Sequence, residues 1–183
     1  MNVRIGTAPD SWGVWFASDP RQTPWNRFLD EVVQAGYEWI ELGPYGYLPA
    51  EAARLRPELE KRRLKVSGSF VMAHLEDAAN WPALEKQVLS MGALLAALGA
   101  GFLVLIDDGY SDPRTGAPTR PPALDGDGWK RLLDTTHRAA RLARERFHLR
   151  LIFHPHAETH VEHTPQVEML LRQTDPALVS LYY

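Results

Sequence analysis

The sequence predicts an α/β fold in which parallel strands alternate with helices and close toward a barrel. Short apolar runs rich in β-branched and aromatic residues take turns along the 183 residues with longer segments whose apolar residues recur at helical spacing. The apolar runs recur about every 30 to 45 residues, a pitch at which a barrel would reach eight strands near 250 residues. No G-x-G-x-x-G motif follows the first run and no G-x-x-x-x-G-K-[ST] motif is present, so an open nucleotide-binding sheet is less well supported than a barrel.

Up to residue 107, the apolar pattern predicts four strands with helices between them. A strand at residues 3–7 leads into Ala8-Pro9-Asp10, and Thr23 then caps a helix that opens with Pro24 and stops at Gly36. The elements that follow are a strand at 37–42, a helix at 49–62 that Pro57 kinks or shortens, a strand at 64–72, a helix at 81–98 and a strand at 102–107. This alternation is typical of βαβ units and a parallel sheet.

The second half predicts a long loop and two further strands. Residues 108–126 are rich in proline and glycine, and we expect them to form either a lid or a disordered loop. A helix with a buried stripe follows, then a fifth strand that ends at His154, a helix that opens at Thr164 and a sixth strand at 178–183. We therefore expect one domain over residues 1–183 with about six of the eight barrel strands. A terminal strand would leave an unpaired edge, so either the barrel is truncated or a partner chain completes the sheet.

The end of the fifth strand carries a cluster of histidines. His154, His156, His160 and His163 account for four of the seven histidines in the chain, and each imidazole can bind a metal or carry a proton near neutral pH. Strand alternation directs His154 and His156 to the same side, so we expect the two to converge. The alternative is a polar loop whose histidines are solvated.

Other polar residues also follow predicted strands, at the edge where barrel enzymes keep their active sites. Glu41 ends the second strand and Asp107 the fourth, although Glu41 could merely cap a backbone group. Asp10 and Trp12 follow the first strand and could contact substrate, as could His74 after the third strand and Asp107 at the end of the fourth. For Trp12 and His74 a role in packing is an equal alternative.

Composition limits the classes of function. The chain has no cysteine, which excludes disulfides and thiolate metal sites and leaves nitrogen and oxygen as metal ligands. The formal charge of −3 does not favour nucleic acid as a partner, although one helix carries several arginines that could equally form a solvated face. No signal peptide or apolar stretch of about 20 residues is evident. We expect a cytoplasmic protein without a membrane partner, and a homo-oligomer is an open alternative.

Four segments resemble the xylose-isomerase-like TIM-barrel family of sugar isomerases, epimerases and inosose dehydratases. They are Thr7-Ala8-Pro9-Asp10-Ser11-Trp12-Gly13, Glu38-Trp39-Ile40-Glu41-Leu42-Gly43, Leu105-Ile106-Asp107 and His154-Pro155-His156-Ala157. The resemblance implies a divalent metal held by a carboxylate of strand five and by ligands from strands six to eight. At the strand-five position this chain has His154 instead of the usual glutamate. His156 resembles a family histidine that contacts substrate or moves a proton.

We therefore expect a metal-dependent isomerase, epimerase or dehydratase that acts on a sugar or a cyclic polyol ketone. The expected cofactor is a divalent metal, Mn²⁺ first, with Co²⁺, Mg²⁺ and Zn²⁺ as alternatives, held in part by His154. His156 is the expected proton-transfer residue, with Glu158 and Glu41 as alternates. The alternative hypotheses are a metal hydrolase similar to abasic-site endonucleases and a non-catalytic barrel that is stable only as an oligomer.

Overall fold

The six predicted strands are all present in one sheet. The structure is a computed structural model that describes residues 3–182. The strands are β1 (Gly6–Thr7), β2 (Trp39–Glu41), β3 (Lys65–Ala73), β4 (Phe102–Asp107), β5 (Arg150–His154) and β6 (Val179–Leu181). They follow the order β1-β2-β3-β4-β5-β6, which confirms the predicted α/β fold of the barrel type with parallel strands.

Helices connect the strands as the sequence predicts. They are α1 (Trp25–Gln34), α2 (Ala52–Arg62), α3 (Trp81–Ala97), α4 (Gly126–Phe147) and α5 (Thr164–Gln173), with short 3₁₀ turns at Pro9–Trp12 and Ala78–Asn80. None of the helices within residues 3–182 is both long and apolar enough to cross a membrane.

Two element boundaries differ from prediction near the start of the chain. The first strand is limited to Gly6–Thr7, and Ile5, which was predicted to lie in it, is 72% exposed. The helix predicted to open with Pro24 begins one residue later, because Pro24 has an extended ψ of 138° and thus occupies the cap position. Thr23 makes no capping bond there; its carbonyl accepts a hydrogen bond from the Tyr47 hydroxyl at 2.8 Å.

Boundaries of later elements differ as well, by one to three residues. The second helix begins at Ala52 rather than at residue 49, and it contains Pro57 without being interrupted. The sixth strand covers Val179–Leu181, while the last residue of its predicted range, Tyr183, lies outside the described residues.

The described residues form two compact units. The first comprises those of Met1–Phe70 and Ala93–Phe102, and its interior contains Phe28 and Leu29 of α1. The second comprises Val71–Gly92 and the described part of Leu103–Tyr183. In the second unit the strand pattern is clear: Leu151 and Phe153 of β5 are fully buried, while Ile152 and His154 on the other face are half-buried.

Candidate active site

The last residue of β5, His154, has one ring nitrogen without a partner. Its Nδ1 is buried and makes no hydrogen bond, while the ring bonds to the backbone of Tyr182. Burial lowers the pKa of His154, and the neighbouring His156 lowers it further, against the effect of the Tyr182 bond. The imidazole is therefore neutral near pH 7, with a lone pair on one nitrogen.

The ring of His156 stands against that of His154. The ring centroids lie 5.7 Å apart in an edge-to-face arrangement, so the predicted convergence of the two side chains is observed. His156 Nδ1 lies 3.0 Å from the carbonyl of Ala157. Since a carbonyl can only accept, the proton resides on Nδ1 and the lone pair on Nε2. His156 is exposed, so a solute can reach it.

Glu158 is held by the loop that follows β4. Its backbone adopts the left-handed conformation, with φ of 60°. Its carboxylate accepts a hydrogen bond from the Ser111 hydroxyl, and its carbonyl accepts one from Tyr110 N at 2.8 Å. The segment with the histidines is thus joined to the long loop at 108–125, which was predicted to be either a lid or a disordered loop.

His160 turns inward, toward the end of β4. Its Nδ1 lies 2.8 Å from Asp107 Oδ2, and its backbone N–H donates to the same oxygen at 3.1 Å. Asp107 Oδ1 accepts a third hydrogen bond from Leu75 N at 3.1 Å. Asp107 is 1% exposed and both of its oxygens are engaged within the protein, so this geometry does not support the predicted contact of Asp107 with substrate.

Both ring nitrogens of His160 face acceptors. The Nε2 lies 3.1 Å from the carbonyl of Pro121, so that nitrogen carries a proton as well. Burial alone would lower the pKa of His160, but the hydrogen bond and charge of Asp107, with smaller contributions from Pro121 and Glu76, raise it above its usual value. The two acceptors and the raised pKa thus both favour the doubly protonated, charged form of His160.

Glu76 links the Asp107–His160 pair to two arginines. Its Oε1 accepts a hydrogen bond from Arg120 at 3.0 Å, and its backbone carbonyl accepts one from Arg131 at 2.7 Å. Its Oε2 is buried without a hydrogen-bond partner and lies 4.0 Å from His160 Nδ1. His74 lies nearby, with Nδ1 3.8 Å from Glu76 Oε1. A cavity of about 310 Å³ opens beside this cluster and is lined by Glu76, Arg120, Arg131 and His160, among others.

Two sets of residues can be tested for their fit to a metal ion. Glu76, Asp107 and His160 place possible ligand atoms within 4.8 Å of one another. That set does not fit as it stands, because both ring nitrogens of His160 and both oxygens of Asp107 are already engaged in hydrogen bonds within the protein. His154 does fit. Its Nδ1 has no partner, while the ring is hydrogen-bonded to the backbone of Tyr182, and such a bond orients histidines that bind metals.

The remaining predicted residues belong to the first unit. Trp12 donates to Glu31 at 2.7 Å and packs edge-on against Phe28, with 5.0 Å between centroids, so the packing alternative describes its contacts. Asp10 lies in the 3₁₀ turn after β1. Glu41 ends β2, where the register with β3 shifts, and is half-buried.

Glu76 and Arg120 were not predicted from the sequence, and neither was the separate position of His160. His160 was grouped with the other histidines by its position alone, whereas its partner Asp107 is 53 residues away. Glu76 carried a weak signal, since it follows the third strand by a few residues. Arg120 carried none, because a single arginine in a proline-rich loop has no pattern around it.

Comparison with known proteins supports the family resemblance. No protein-family model matches the chain. An inosose dehydratase from Geobacillus kaustophilus is 28% identical over 192 residues, which is 98% of this chain and 59% of that enzyme. The chain therefore spans about three fifths of the length of this relative.

Solved structures share the fold. A xylose isomerase-like TIM barrel protein from Mycobacterium smegmatis in complex with magnesium has a TM-score of 0.73 at 15% identity, covering 97% of this chain and 63% of that one. An L-ribulose 3-epimerase has a TM-score of 0.72 at 18% identity, and the match covers 98% of this chain and 60% of the epimerase. An AP endonuclease of family 2 from Brucella melitensis has a TM-score of 0.66 at 14% identity, covering 98% and 67%. At such identities these likenesses show the fold and do not separate the hypotheses of function. Together with the dehydratase relative, they confirm that the chain resembles the xylose-isomerase-like TIM-barrel family.

Proposed function

We propose that the protein to which this chain belongs is a metal-dependent dehydratase, isomerase or epimerase that acts on a sugar or an inositol-derived ketone. The observation that carries the proposal is the pair His154 and His156, two imidazoles at the carboxyl end of β5 whose ring centroids are 5.7 Å apart. Each has one nitrogen with an available lone pair. The named activity of the dehydratase relative supports the same class of reaction.

His154 would hold the metal through Nδ1, and a bound divalent metal would polarise a carbonyl and its neighbouring hydroxyl. Further ligands are those that the family resemblance implies, from strands six to eight. Among the possible ions, Mn²⁺ suits a mixed nitrogen and oxygen site, with Co²⁺, Mg²⁺ and Zn²⁺ as alternatives.

His156 would remove the proton next to the carbonyl. The Ala157 carbonyl holds the Nδ1 proton, so Nε2 is the basic atom, and the exposure of the side chain lets a substrate approach it. Glu158 and Glu41 are alternates for this step. The Glu158 carboxylate would first have to leave Ser111, which makes it less suited than His156.

The test uses the protein in the longest form that its gene encodes, assayed with Mn²⁺ or Co²⁺ against a panel of ketoses and inososes. We expect His156→Ala to lower kcat by about 10²–10⁴-fold and to abolish exchange of the substrate proton with D₂O. His154→Ala should weaken Mn²⁺ binding in a direct titration. His163→Ala, an exposed histidine of the same segment, is the matched control and should keep activity. Full activity of both His154→Ala and His156→Ala would overturn the proposal.

The endonuclease alternative predicts a different partner. Binding to DNA depends on contacts of Lys and Arg with phosphate and weakens steeply with salt, and the formal charge of −3 does not favour it. Salt-dependent binding to an abasic duplex in a gel shift would favour that alternative over the sugar enzyme.

A further inference from the structure

The group Glu76, Asp107 and His160 has the composition of a metal site but the hydrogen bonding of an ion-pair clamp. We propose that His160 is a positioning residue: as an imidazolium it ties the segment with His156 to the end of β4 and to the loop at 108–125, and the group does not bind metal. This inference rests on the proposed function only for the role of His156. The clamp itself rests on the contacts.

The first half of the clamp is the bond to β4. His160 uses both its backbone N–H and its ring Nδ1 on Asp107 Oδ2, at 3.1 and 2.8 Å. Two bonds from one residue to one oxygen fix the ring as well as the chain. The other oxygen of Asp107 is held by Leu75 N, so the carboxylate cannot turn away without losing that bond.

The second half is the bond to the loop. The ring Nε2 donates to the Pro121 carbonyl at 3.1 Å, and the neighbouring Arg120 donates to Glu76. A neutral imidazole has one N–H only and could not satisfy Asp107 and Pro121 together. Loss of the second proton would set a lone pair of the ring against a carbonyl oxygen and release the loop.

The bonds of His160 affect His156, the candidate base, through the short segment between the two residues. Between His156 and His160 the backbone turns, and the Thr159 hydroxyl donates back to the His156 carbonyl at 2.9 Å. Glu158 is bonded to Ser111 and Tyr110 of the same loop. The position of His156 therefore depends on bonds made by the residues directly after it.

The charged groups around His160 determine whether its pKa is raised or lowered. Asp107 comes from β4, Glu76 from the segment after β3, and Arg120 from the loop. Arg131 of α4 lines the same cavity, and the Tyr110 ring lies 6.0 Å away. Burial lowers the pKa of His160, but Asp107 and, to a smaller extent, Glu76 raise it, so the net shift is upward.

The first experiment needs neither substrate nor activity. Protein with ¹⁵N-labelled histidine is titrated by NMR from pH 5 to pH 9, a range of about two units on each side of neutrality chosen to cover histidine titration. We expect two ring N–H signals for His160 near pH 7. A single N–H there, or a change of the His160 signals on addition of Zn²⁺ in place of those of His154, would overturn the clamp in favour of a metal site.

The second experiment measures the loop. Trypsin cleavage after Arg114, an exposed residue of the loop, is compared at one pH among variants. His160→Gln keeps the size of the side chain but cannot carry the charge, and we expect cleavage roughly tenfold faster, while the control His163→Gln should match the wild type. Equal rates for His160→Gln and the wild type would contradict the clamp.

The third readout tests the positioning role. With the substrate found in the assay above, His160→Gln should lower kcat more than it raises KM, because substrate contacts remain while the base is misplaced. If the NMR and proteolysis results hold and no activity is found with any substrate, the proposed function fails and the clamp stands. If kcat is unchanged in His160→Gln, the clamp has no positioning role.

Discussion

The substitution Asp107→Asn probes the buried ion pair most directly. It preserves the size of the side chain but replaces one carboxylate oxygen by an amide N–H₂. In the wild type three N–H groups converge on this carboxylate, one from Leu75 and two from His160, at 3.1, 3.1 and 2.8 Å. Whichever way the amide turns, its N–H₂ faces a donor that it cannot accept from.

The expected cost follows from that geometry. A buried donor without a partner costs about 1–3 kcal/mol, and removing one member of a buried ion pair costs about 3–5 kcal/mol. His160 can shed its proton when Asp107 is neutralised, which reduces the second cost. We expect a loss of about 3 kcal/mol in the free energy of unfolding, or roughly 6–12 °C in Tm for a chain of this size.

The difference between wild type and variant should also depend on pH. The pKa of His160 is raised in the folded state above its usual 6.5, so its contribution to stability is fully present below the unfolded value and is lost as pH rises through the folded value. The variant lacks that contribution. The stability gap should therefore be larger at pH 6 than at pH 9, on either side of the histidine range near 6.5.

The assay is urea unfolding followed by tryptophan fluorescence at both pH values. Asp108→Asn is the matched control: the residue is adjacent, its side chain is 41% exposed, and its bond to Gly109 N can be kept by the amide oxygen. A free energy of unfolding for Asp107→Asn within about 0.5 kcal/mol of that of the control would refute the ion pair between Asp107 and His160. So would a stability difference from the wild type that grows with pH.

Two further substitutions test the fold away from the histidines. Gly68→Ala would place a Cβ 2.7 Å from the backbone oxygen of Phe102 and should cost about 1–3 kcal/mol in urea unfolding. The control Gly101→Ala, where nothing lies within 4 Å of the new Cβ, should be close to neutral. Equal stability of the two variants would contradict the close approach at Gly68. Asp125→Ala removes the side-chain cap on Gly128 N at 2.7 Å and should cost about 1 kcal/mol, largely recovered by Asp125→Ser. A loss that serine does not recover would argue against capping as its cause.

The order of elements was predictable because it depends on local pattern. The range predicted for the fourth strand, 102–107, matches the structure, since an apolar run between Gly101 and Asp108-Gly109 has clear limits. The first strand was predicted too long because an apolar run alone does not show whether a neighbouring strand pairs with it. The start of the first helix was missed by one residue, since Pro24 fits both the cap and the first helical position.

The candidate site was predictable only in part. Alternation along β5 placed His154 on the side away from Leu151 and Phe153, and the contact of its ring with His156 followed. Beyond Pro155 the chain leaves the extended conformation, with left-handed backbone at Glu158, so alternation no longer gives direction. For that reason the inward turn of His160 could not be read from the sequence. The roles of the site residues, the cytoplasmic location and the state of oligomerisation stay predictions.

The sequence by itself determined the alternation of strands and helices, and with it the strand ends that the polar residues follow. These properties follow from the periodicity of apolar residues, which is a property of neighbours along the chain. Only the tertiary structure decided which histidine has its pKa lowered and which has it raised. That choice depends on partners tens of residues away, because Asp107 and the Pro121 carbonyl give His160 two acceptors while His154 Nδ1 is buried without one.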